Sequence, residues 1–554
     1  MSLTRLDGNL YKEMVTGGAR NLATNAEIVN DLNVFPIPDG DTGDNMRMTV
    51  EGGVASAEAV DTPELCEVAR AVAEGMLLSA RGNSGVILSQ FFGGIAEGLS
   101  GVSTADAKTL GEAFRAGVKK AYAAVLTPTE GTILTVAREA TEYAVSKIDG
   151  GSSVESFLSD FIAEMHASLD RTPELLPVLK EAGVIDSGGA GLVYVVEGMN
   201  KILHGETVEG KDIGTAKKAL DTSGFTEDSE LTYGYCTELL LQLQTKKVDI
   251  DRFDVSVISD YLSAIGDSIV ALKSGSRVKL HVHTRTPGKV FDFCQNFGEF
   301  LTLKVENMSL QHSETTIENR YPASEKKTES TQPRRRFGIV TVAAGEGISE
   351  TFYQLGADKV VTGGQTMNPS AEDFLHAFDE VNADYVIVLP NNGNVVLAAR
   401  QAASLYTASD VRVVESHTLG EGYAALSMVN FDSEDIEEIT GTMEEAMKGV
   451  LTAEVTYAVR DTTMSGIEVH TGDHIGIAGK RILSDGDTRV KAATELLSKL
   501  DMDDKEVLIL IAGKDATRED VDEVRAFIKK SFPFTEIFEI DGKQEVYSFI
   551  FIAE

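Results

Sequence analysis

Helical periodicity runs through the first two hundred residues, and no strand-like alternation interrupts it. Apolar residues recur at spacings of three and four in eight stretches between residues 10 and 203. In the stretch 63–78, for example, Leu65, Val68 and Met76 fall on one helical face. This feature constrains the fold more than any other, because it predicts an all-α bundle or helical barrel of about eight helices.

An acidic loop, NVFPIPDGDTGDNM, interrupts the helical pattern at residues 33–46. Its two prolines stop a helix ahead of three crowded carboxylates, Asp39, Asp41 and Asp44. Carboxylates at this density repel one another unless a cation lies among them, and hard oxygen ligands suit Mg²⁺ or Ca²⁺. The alternative is a solvated acidic turn. We favour magnesium, which commonly shares its coordination with phosphates, so the loop predicts a nucleotide partner.

Two familiar ligand-binding motifs are excluded. Counted from Asp39, the loop has Asp44 where an EF-hand needs glycine and Val50 where it needs a bidentate Glu. The Gly-Lys pairs at 288–289, 479–480 and 513–514 lack the other residues of a Walker A motif. A nucleotide would therefore have to bind in another way.

Three loops rich in glycine and hydroxyl residues each precede an apolar helix, at 81–85, 127–132 and 186–191. A helix start offers unpaired N–H groups and a partial positive charge, so it can hold a phosphate. Taken singly, each loop is explained equally well as a capped helix start. Because alternate loops of an up-and-down bundle share one end, several of them are expected to meet over the acidic loop.

The length and charge of the chain limit its organisation and partners. Its 554 residues predict two to four domains, and a formal charge of −37 argues against nucleic acid as a partner. Three scattered cysteines do not form a disulfide framework. We find neither a secretory signal pattern nor a run of membrane-spanning length. These observations predict a cytoplasmic protein that does not span a membrane.

A middle segment follows a polar linker at 205–230 and changes the pattern to strands. In Arg277–Thr284, apolar residues alternate with His281 and His283, so both histidines fall on one strand face. With Cys236 they would form a ligand set suited to zinc, and His312 is a candidate fourth ligand. A polar strand face without metal is the alternative. We predict a small α+β domain at 231–320.

The C-terminal segment, 337–554, follows a charged linker at 321–336 and alternates short apolar strands with helices. This alternation predicts an α/β domain built on a parallel, doubly wound sheet. Its loops GEG, GGQTMNPS and NNGN follow strands, which is where ligands bind in such folds. Glu350 at the third position of the glycine pattern argues against a dinucleotide site.

Four motifs occur in order along the N-terminal segment, 1–204: NVFPIPDGDTGDNM, ARGNSGVILSQ, PTEGTILTVAREA and GVIDSGGAGL. Together they closely resemble the nucleotide-binding domain of bacterial fatty acid kinase, which is similar to the ATP-binding subunit of dihydroxyacetone kinase. The resemblance implies an eight-helix barrel that holds ADP or ATP through two Mg²⁺ ions. It also covers the layout of the whole chain, and the family's Cys/His/His zinc site favours zinc at Cys236, His281 and His283.

The resemblance also assigns site residues, position by position. Asp39 and Asp41 match the magnesium carboxylates, and Asn33 lies one residue from the place of a further Asp in dihydroxyacetone kinase relatives. Arg81 is the nearest candidate for a cationic group on the transferred phosphoryl, with a surface arginine as the alternative. Asp44 replaces a Thr of many relatives and either adds a metal ligand or faces water, of which we favour water. The residues that match phosphate-contacting loops or line the nucleotide pocket are Thr42, Asn45, Ser84, Gly85, Thr132, Asp186, Gly188 and Gly189.

The implied reaction is ATP-dependent phosphorylation of a fatty-acid carboxylate to acyl-phosphate. The fatty acid would be presented by a separate DegV-like carrier protein, and the C-terminal domain, which resembles the carriers in fold, would dock it or form a homodimer. A carboxylate is already ionised at pH 7 and needs no general base, which fits a segment with only His166 and His204. The alternatives are a kinase component for dihydroxyacetone or another small molecule, and a nucleotide-regulated scaffold without catalysis.

Overall fold

The structure is a computed structural model of the chain. It describes residues 4–33, 40–208, 235–307 (apart from 249, 251, 252, 254, 264 and 275), 334–364 and 368–554 (apart from 430–432, 434, 459–461, 465 and 480). The chain divides into two compact units. One unit joins Met1–Ala216 to Ser330–Glu554, and the other is Lys217–Glu329. The domain boundaries drawn from the sequence stay a prediction.

The N-terminal part of the first unit is helical, as the periodicity predicts. Its longest helices pack side by side around one apolar core that includes a cluster of edge-to-face rings, among them Phe91, Phe114, Phe157 and Phe161. The helices described in this part are α1 Gly8–Asp31, α2 Thr42–Glu58, α3 Leu65–Ser79, α4 Gly82–Gly98, α5 Ala107–Ala123, α6 Ile133–Ser146, α7 Val154–Leu175, α8 Pro177–Ala182 and α9 Ser187–Leu203.

Helix α9, the last of the helical part, packs closely on α1. A Cβ on Gly198 would lie 2.4 Å from the Gly17 carbonyl oxygen, so the two backbones touch where neither residue carries a side chain. The Asn21 amide also donates to the Tyr194 carbonyl oxygen at 2.6 Å. The N-terminal end of α9 is thereby held beside that of α2, which follows α1 in the chain.

The C-terminal part of the first unit contains two main sheets. The first is fully parallel, in the order β6-β5-β7-β8, and its strands alternate with helices in the predicted way. Its strands are β5 Arg335–Ala343, β6 Lys359–Thr362, β7 Ala383–Leu389 and β8 Asp410–Val413, with helices α12 Glu346–Gln354, α13 Ala371–Val381, α14 Val396–Leu405, α15 Leu419–Ser427 and α16 Ile436–Met447.

The second sheet has six strands in the order β13-β12-β9-β16-β14-β15, and only the β14–β15 pair is parallel. Its strands are β9 Leu451–Tyr457, β12 His474–Ala478, β13 Arg481–Gly486, β14 Val507–Ala512, β15 Glu536–Asp541 and β16 Phe549–Ala553, with a separate pair β10 Thr462–Met464 and β11 Ile467–Val469 and helices α17 Arg489–Ser498 and α18 Arg518–Ser531. The predicted α/β class is confirmed. The prediction did not include the second sheet, in which most strand pairs are antiparallel.

The second unit is a small α+β fold, as predicted. Its antiparallel sheet has the order β2-β3-β1-β4, with an apolar core that includes Leu241, Leu280 and Val290. Its elements are β1 Tyr235–Leu243, α10 Ser256–Ser263, β2 Gly266–Ser274, β3 Arg277–Thr284, α11 Pro287–Cys294 and β4 Gly298–Asn307. Across the described residues of both units, no helix combines the length and apolarity that a membrane crossing requires.

Candidate nucleotide and cation site

The acidic loop enters α2 at Asp41, the residue at the heart of the site. Asp41 is only 7% exposed, and it precedes the helix without capping it through its side chain. Burial raises the pKa of its carboxyl to about 6, while hydrogen bonds from the Asn45 and Asn368 side chains oppose that rise. A carboxyl with this pKa is mainly ionised at pH 7, and its oxygens make no capping bond to the backbone of α2.

Asn30 holds the start of α2 in place. Its side-chain oxygen accepts from the backbone N–H of Gly43 at 2.7 Å, and its amide nitrogen donates to Asp44 at 2.9 Å. Asp44 also pairs with Arg47 at 3.1 Å and is about half exposed. The Asp44 carboxylate thus faces the Arg47 guanidinium and solvent. A role of Asp44 in metal binding stays a prediction. Sequence reasoning missed Asn30, because an Asn within a helical pattern carries no signal.

The start of α4 lies against the start of α2. Gly82 has a φ of +57°, and a Cβ on it would lie 2.7 Å from the Asn45 side-chain nitrogen. A Cβ on Gly85 would lie 2.5 Å from the Thr49 hydroxyl oxygen. These two glycines therefore allow the α4 N-terminus, with Ser84 between them, to approach α2 closely.

The starts of α9 and α6 complete the arrangement. Ser187 contacts Thr42 through their hydroxyl oxygens, 3.4 Å apart, which joins the first turn of α9 to that of α2. Asp186 caps α9 by accepting from the Gly189 N–H at 2.7 Å, and it also accepts from the backbone N–H of Ile133, the first residue of α6. A Cβ on Gly188 would lie 3.3 Å from the Ile133 side chain.

Four helix N-termini, those of α2, α4, α6 and α9, thus converge on one region, as the junction loops predict. Of the predicted residues, Asn45 and Gly85 lie at the α2–α4 contact, Thr42 lies at the α2–α9 contact, and Thr132 immediately precedes α6. Converging helix starts gather positive partial charge, which is an arrangement suited to several phosphates. The individual ligand roles of these residues stay predictions.

Some predicted residues are placed otherwise or cannot be placed. Arg81 donates to the Asn368 carbonyl oxygen at 2.7 Å and pairs with Asp373 at 3.5 Å, so its guanidinium joins the helical part to the C-terminal part. Asn33, the first residue of the acidic loop, is buried. Asp39 and His312 lie outside the described residues, as do the side chains of Cys236, His281 and His283. His166 and His204 are exposed and bond to Glu197 and Asn200.

Asn368 is a second residue that sequence reasoning missed at this site. It lies in the GGQTMNPS loop of the C-terminal part, is fully buried, and donates from its amide nitrogen to Asp41 Oδ2 at 2.5 Å. Its Oδ1 has no hydrogen-bond partner among the residues that the structure describes. An orphaned amide oxygen beside a buried carboxylate costs about 1–3 kcal/mol, and both oxygens are hard donors of the kind that Mg²⁺ takes. The residues present therefore fit a divalent cation.

The comparisons with known proteins agree with this layout. A DAK2 domain model matches residues 36–201, which contain the four helix starts. The middle-domain and C-terminal models of the FakA-like fatty acid kinase proteins match residues 232–315 and 338–554. Protein YloV of Bacillus subtilis is 40% identical, and the uncharacterized protein SAR1202 of Staphylococcus aureus is 38% identical, each over 100% of both chains. The chain therefore belongs to the FakA-like fatty acid kinase family.

Solved structures show weaker likenesses. A fatty-acid-binding DegV family protein from Thermus thermophilus aligns over 39% of this chain and 99% of its own, with 15% identity and a TM-score of 0.30. The dihydroxyacetone kinase of C. freundii, in complex with AMP-PNP and Mg²⁺, aligns over 35% of this chain and 34% of its own, with 18% identity and a TM-score of 0.28. Scores at this level support no argument about the present chain.

Proposed function

We propose that the protein transfers a phosphoryl group from ATP to the carboxylate of a fatty acid that a separate DegV-like carrier presents. The observation that carries the proposal is the convergence of four helix starts beside the buried Asp41 carboxylate, in a chain of the FakA-like fatty acid kinase family. The cytoplasm is the compartment we propose for it, since ATP is the phosphoryl donor.

The phosphates of ATP would bind at the helix starts. The backbone N–H groups of the first turn of α4 would donate to the phosphate oxygens. Gly82 and Gly85 bring this helix start close to α2, whose Gly43 N–H is already bonded to Asn30. Asp186 is already bonded to N–H groups of α6 and α9, so it fixes these two starts relative to each other. The chain thus holds the phosphates with few side chains.

Asp41, together with Asp39, would hold magnesium, of which the family resemblance implies two ions. When bound, magnesium neutralises the charge between the β- and γ-phosphates of ATP and so favours transfer. Asp41 suits this role because its carboxylate is ionised near neutral pH and is not used for helix capping. The role of Asn33 as a further ligand is also a proposal.

The transfer itself balances without an added base. An oxygen of the fatty-acid carboxylate forms a bond to the γ-phosphorus, and the bond from that phosphorus to the β–γ bridging oxygen breaks. The electron pair stays on the bridging oxygen, so ADP leaves and the acyl-phosphate remains. Because the carboxylate is ionised at pH 7, no proton has to be removed before attack. The two histidines of the helical part lie exposed, which agrees with a reaction that needs no base.

The direct test supplies Mg·ATP, a purified DegV-like carrier and oleate, and measures ADP and acyl-phosphate. We expect both products to form in equal amounts and only when the carrier is present. A matched reaction replaces carrier and oleate with dihydroxyacetone and its own partner protein. Transfer to dihydroxyacetone alone would favour the small-molecule kinase, and ATP binding without any transfer would favour a scaffold.

We also propose a zinc site in the second unit. The backbone register of β1 and β3 pairs Cys236 with His283, and Glu238 with His281. A thiolate and two imidazoles at neighbouring positions of paired strands form a ligand set suited to zinc. The full chain should contain about one zinc per molecule by elemental analysis, and Cys236→Ser should remove most of it. Cys66→Ser, in α3 of the other unit, serves as the control and should leave the zinc content unchanged.

A further inference from the structure

Asn368 reaches the candidate site from the far end of the sequence. It follows Asp41 by 327 residues, yet its amide nitrogen donates to Asp41 Oδ2 at 2.5 Å. Both residues are buried, Asn368 completely. The orientation of the amide is chemically fixed, because the reverse orientation would set its oxygen against a carboxylate oxygen. The nitrogen therefore faces Asp41, and Oδ1 is left facing elsewhere.

Contacts from the helical part hold Asn368 in this position. Arg81 donates to the backbone carbonyl oxygen of Asn368 at 2.7 Å and pairs with Asp373 at 3.5 Å. An isolated antiparallel bridge joins Arg81 to Ser370, whose side chain caps helix α13. A Cβ on Gly82 would lie 3.4 Å from the Asn368 amide nitrogen, so the bare backbone there leaves room for the side chain. The Asn368 loop is thus fastened beside its contact with Asp41.

The state of the Asn368 Oδ1 atom also points to a ligand. It is buried and lacks a hydrogen-bond partner among the residues described. A fully buried polar atom without a partner usually marks a ligand, ion or water that belongs there. An amide oxygen is a normal ligand of Mg²⁺ and Ca²⁺, or of the water that Mg²⁺ retains.

We propose that Asn368 is a positioning residue that completes the cation site of the helical part from the C-terminal part. Its amide nitrogen orients the Asp41 carboxylate, and its Oδ1 is satisfied by the divalent cation or by a water molecule bound to that cation. This inference rests on the proposed magnesium and nucleotide site at Asp41. It follows that the helical part alone holds an incomplete site, and that binding of the cation strengthens the contact between the two parts by linkage.

The test measures ADP binding to the full chain by calorimetry over a series of Mg²⁺ concentrations. Asn368→Ala should raise the Mg²⁺ concentration needed for half-maximal binding at least about tenfold, as the loss of an outer partner of a metal ligand does. ADP binding without Mg²⁺ should be unchanged. The matched control is Asn394→Ala, which removes a 3.0 Å bond from Asn83 across the same contact between parts. The control should keep the Mg²⁺ dependence of the wild type.

A second variant distinguishes cation contact from a purely structural role. Asn368→Asp sets a second carboxylate beside Asp41, so its melting temperature without cation should fall. Mg²⁺ should then raise the melting temperature more in this variant than in the wild type, because the new charge faces the cation. An equal rise in both proteins, or an Asn368→Ala variant with the Mg²⁺ dependence of the wild type, overturns the inference. If the wild type itself shows no Mg²⁺-dependent ADP binding, the proposed function is wrong as well.

Discussion

Two aspartates begin helices in the same region and are used in opposite ways. Asp186 accepts from the backbone N–H groups of Gly189 and Ile133, so its carboxyl is committed to the starts of α9 and α6. Asp41 makes no capping bond to α2, and its hydrogen bonds come from the Asn45 and Asn368 side chains. Burial raises the pKa of each carboxyl to about 6.

Burial and a raised pKa therefore do not distinguish the two carboxyls. Asp41 and Asp186 differ in which groups donate hydrogen bonds to their carboxyl oxygens. The Asp186 carboxyl accepts hydrogen bonds from the backbone of the helices that it joins. Replacement of Asp186 should therefore change the free energy of unfolding. Asp41 is surrounded by amide side chains, one of which has an oxygen without a partner among the described residues, and its replacement should change ligand binding.

The largest expected effect is that of Asp41→Asn. We expect phosphoryl transfer to fall at least about 100-fold, because a neutral amide cannot balance the charge of a divalent cation. Circular dichroism should stay native, since Asp41 does not cap its helix. Asp44→Asn is the matched control in the same loop, and it should retain activity within about a factor of two, since Asp44 pairs with Arg47 on a half-exposed face. Equal activity of the two variants would show that Asp41 is no more important for phosphoryl transfer than Asp44.

A smaller effect is expected from Asp186→Ala. This change removes the acceptor of two backbone N–H groups and should lower the free energy of unfolding by about 2 kcal/mol. Thermal unfolding of the full chain measures it, followed by the helical signal in circular dichroism. Asp186→Asn keeps a capping oxygen and should recover most of the loss. An Ala variant as stable as the wild type would mean that Asp186 does not join the two helix starts.

The smallest effect concerns pH. The pKa of Asp186 is raised to about 6 in the folded protein, so the folded state binds this proton more tightly than the unfolded chain does. The stabilisation from the protonated acid is complete below about pH 4 and is lost as the pH rises through about 6. Asp186→Asn lacks this titration, so its stability relative to the wild type should be greater by about 1 kcal/mol at pH 8 than at about pH 5.3. A constant difference between the two proteins across this range would contradict the raised pKa.

Much of the helical part could be predicted from its sequence, because the spacing of apolar residues within each helix carries the information. The periodic stretch 63–78, for example, corresponds to α3, Leu65–Ser79. The junction loops were expected to meet because consecutive helices of a bundle alternate in direction, and four of the helix starts do converge. A pattern that repeats every few residues needs no knowledge of distant partners.

The features that escaped prediction depend on contacts that no local pattern records. Asn368 lies in a loop that the sequence marked as a ligand position of the C-terminal sheet and not as part of the site at Asp41, which comes 327 residues earlier. The separate strand pair Thr462–Met464 and Ile467–Val469 has three residues in each strand, which is too short to show alternation. Neither feature could therefore be read from periodicity.

The chain order of the first unit has a consequence for how the protein is made. Ala80 and Val86 of the helical part share an apolar core with Phe374 and Val395 of the C-terminal part. A ribosome that adds about 5–20 residues per second reaches Asn368 on the order of half a minute after Asp41. During that interval the helical part emerges with the apolar surface around Ala80 uncovered and Asp41 without its distant amide. A newborn chain therefore acquires the contact between Asn368 and Asp41 only in the later part of translation.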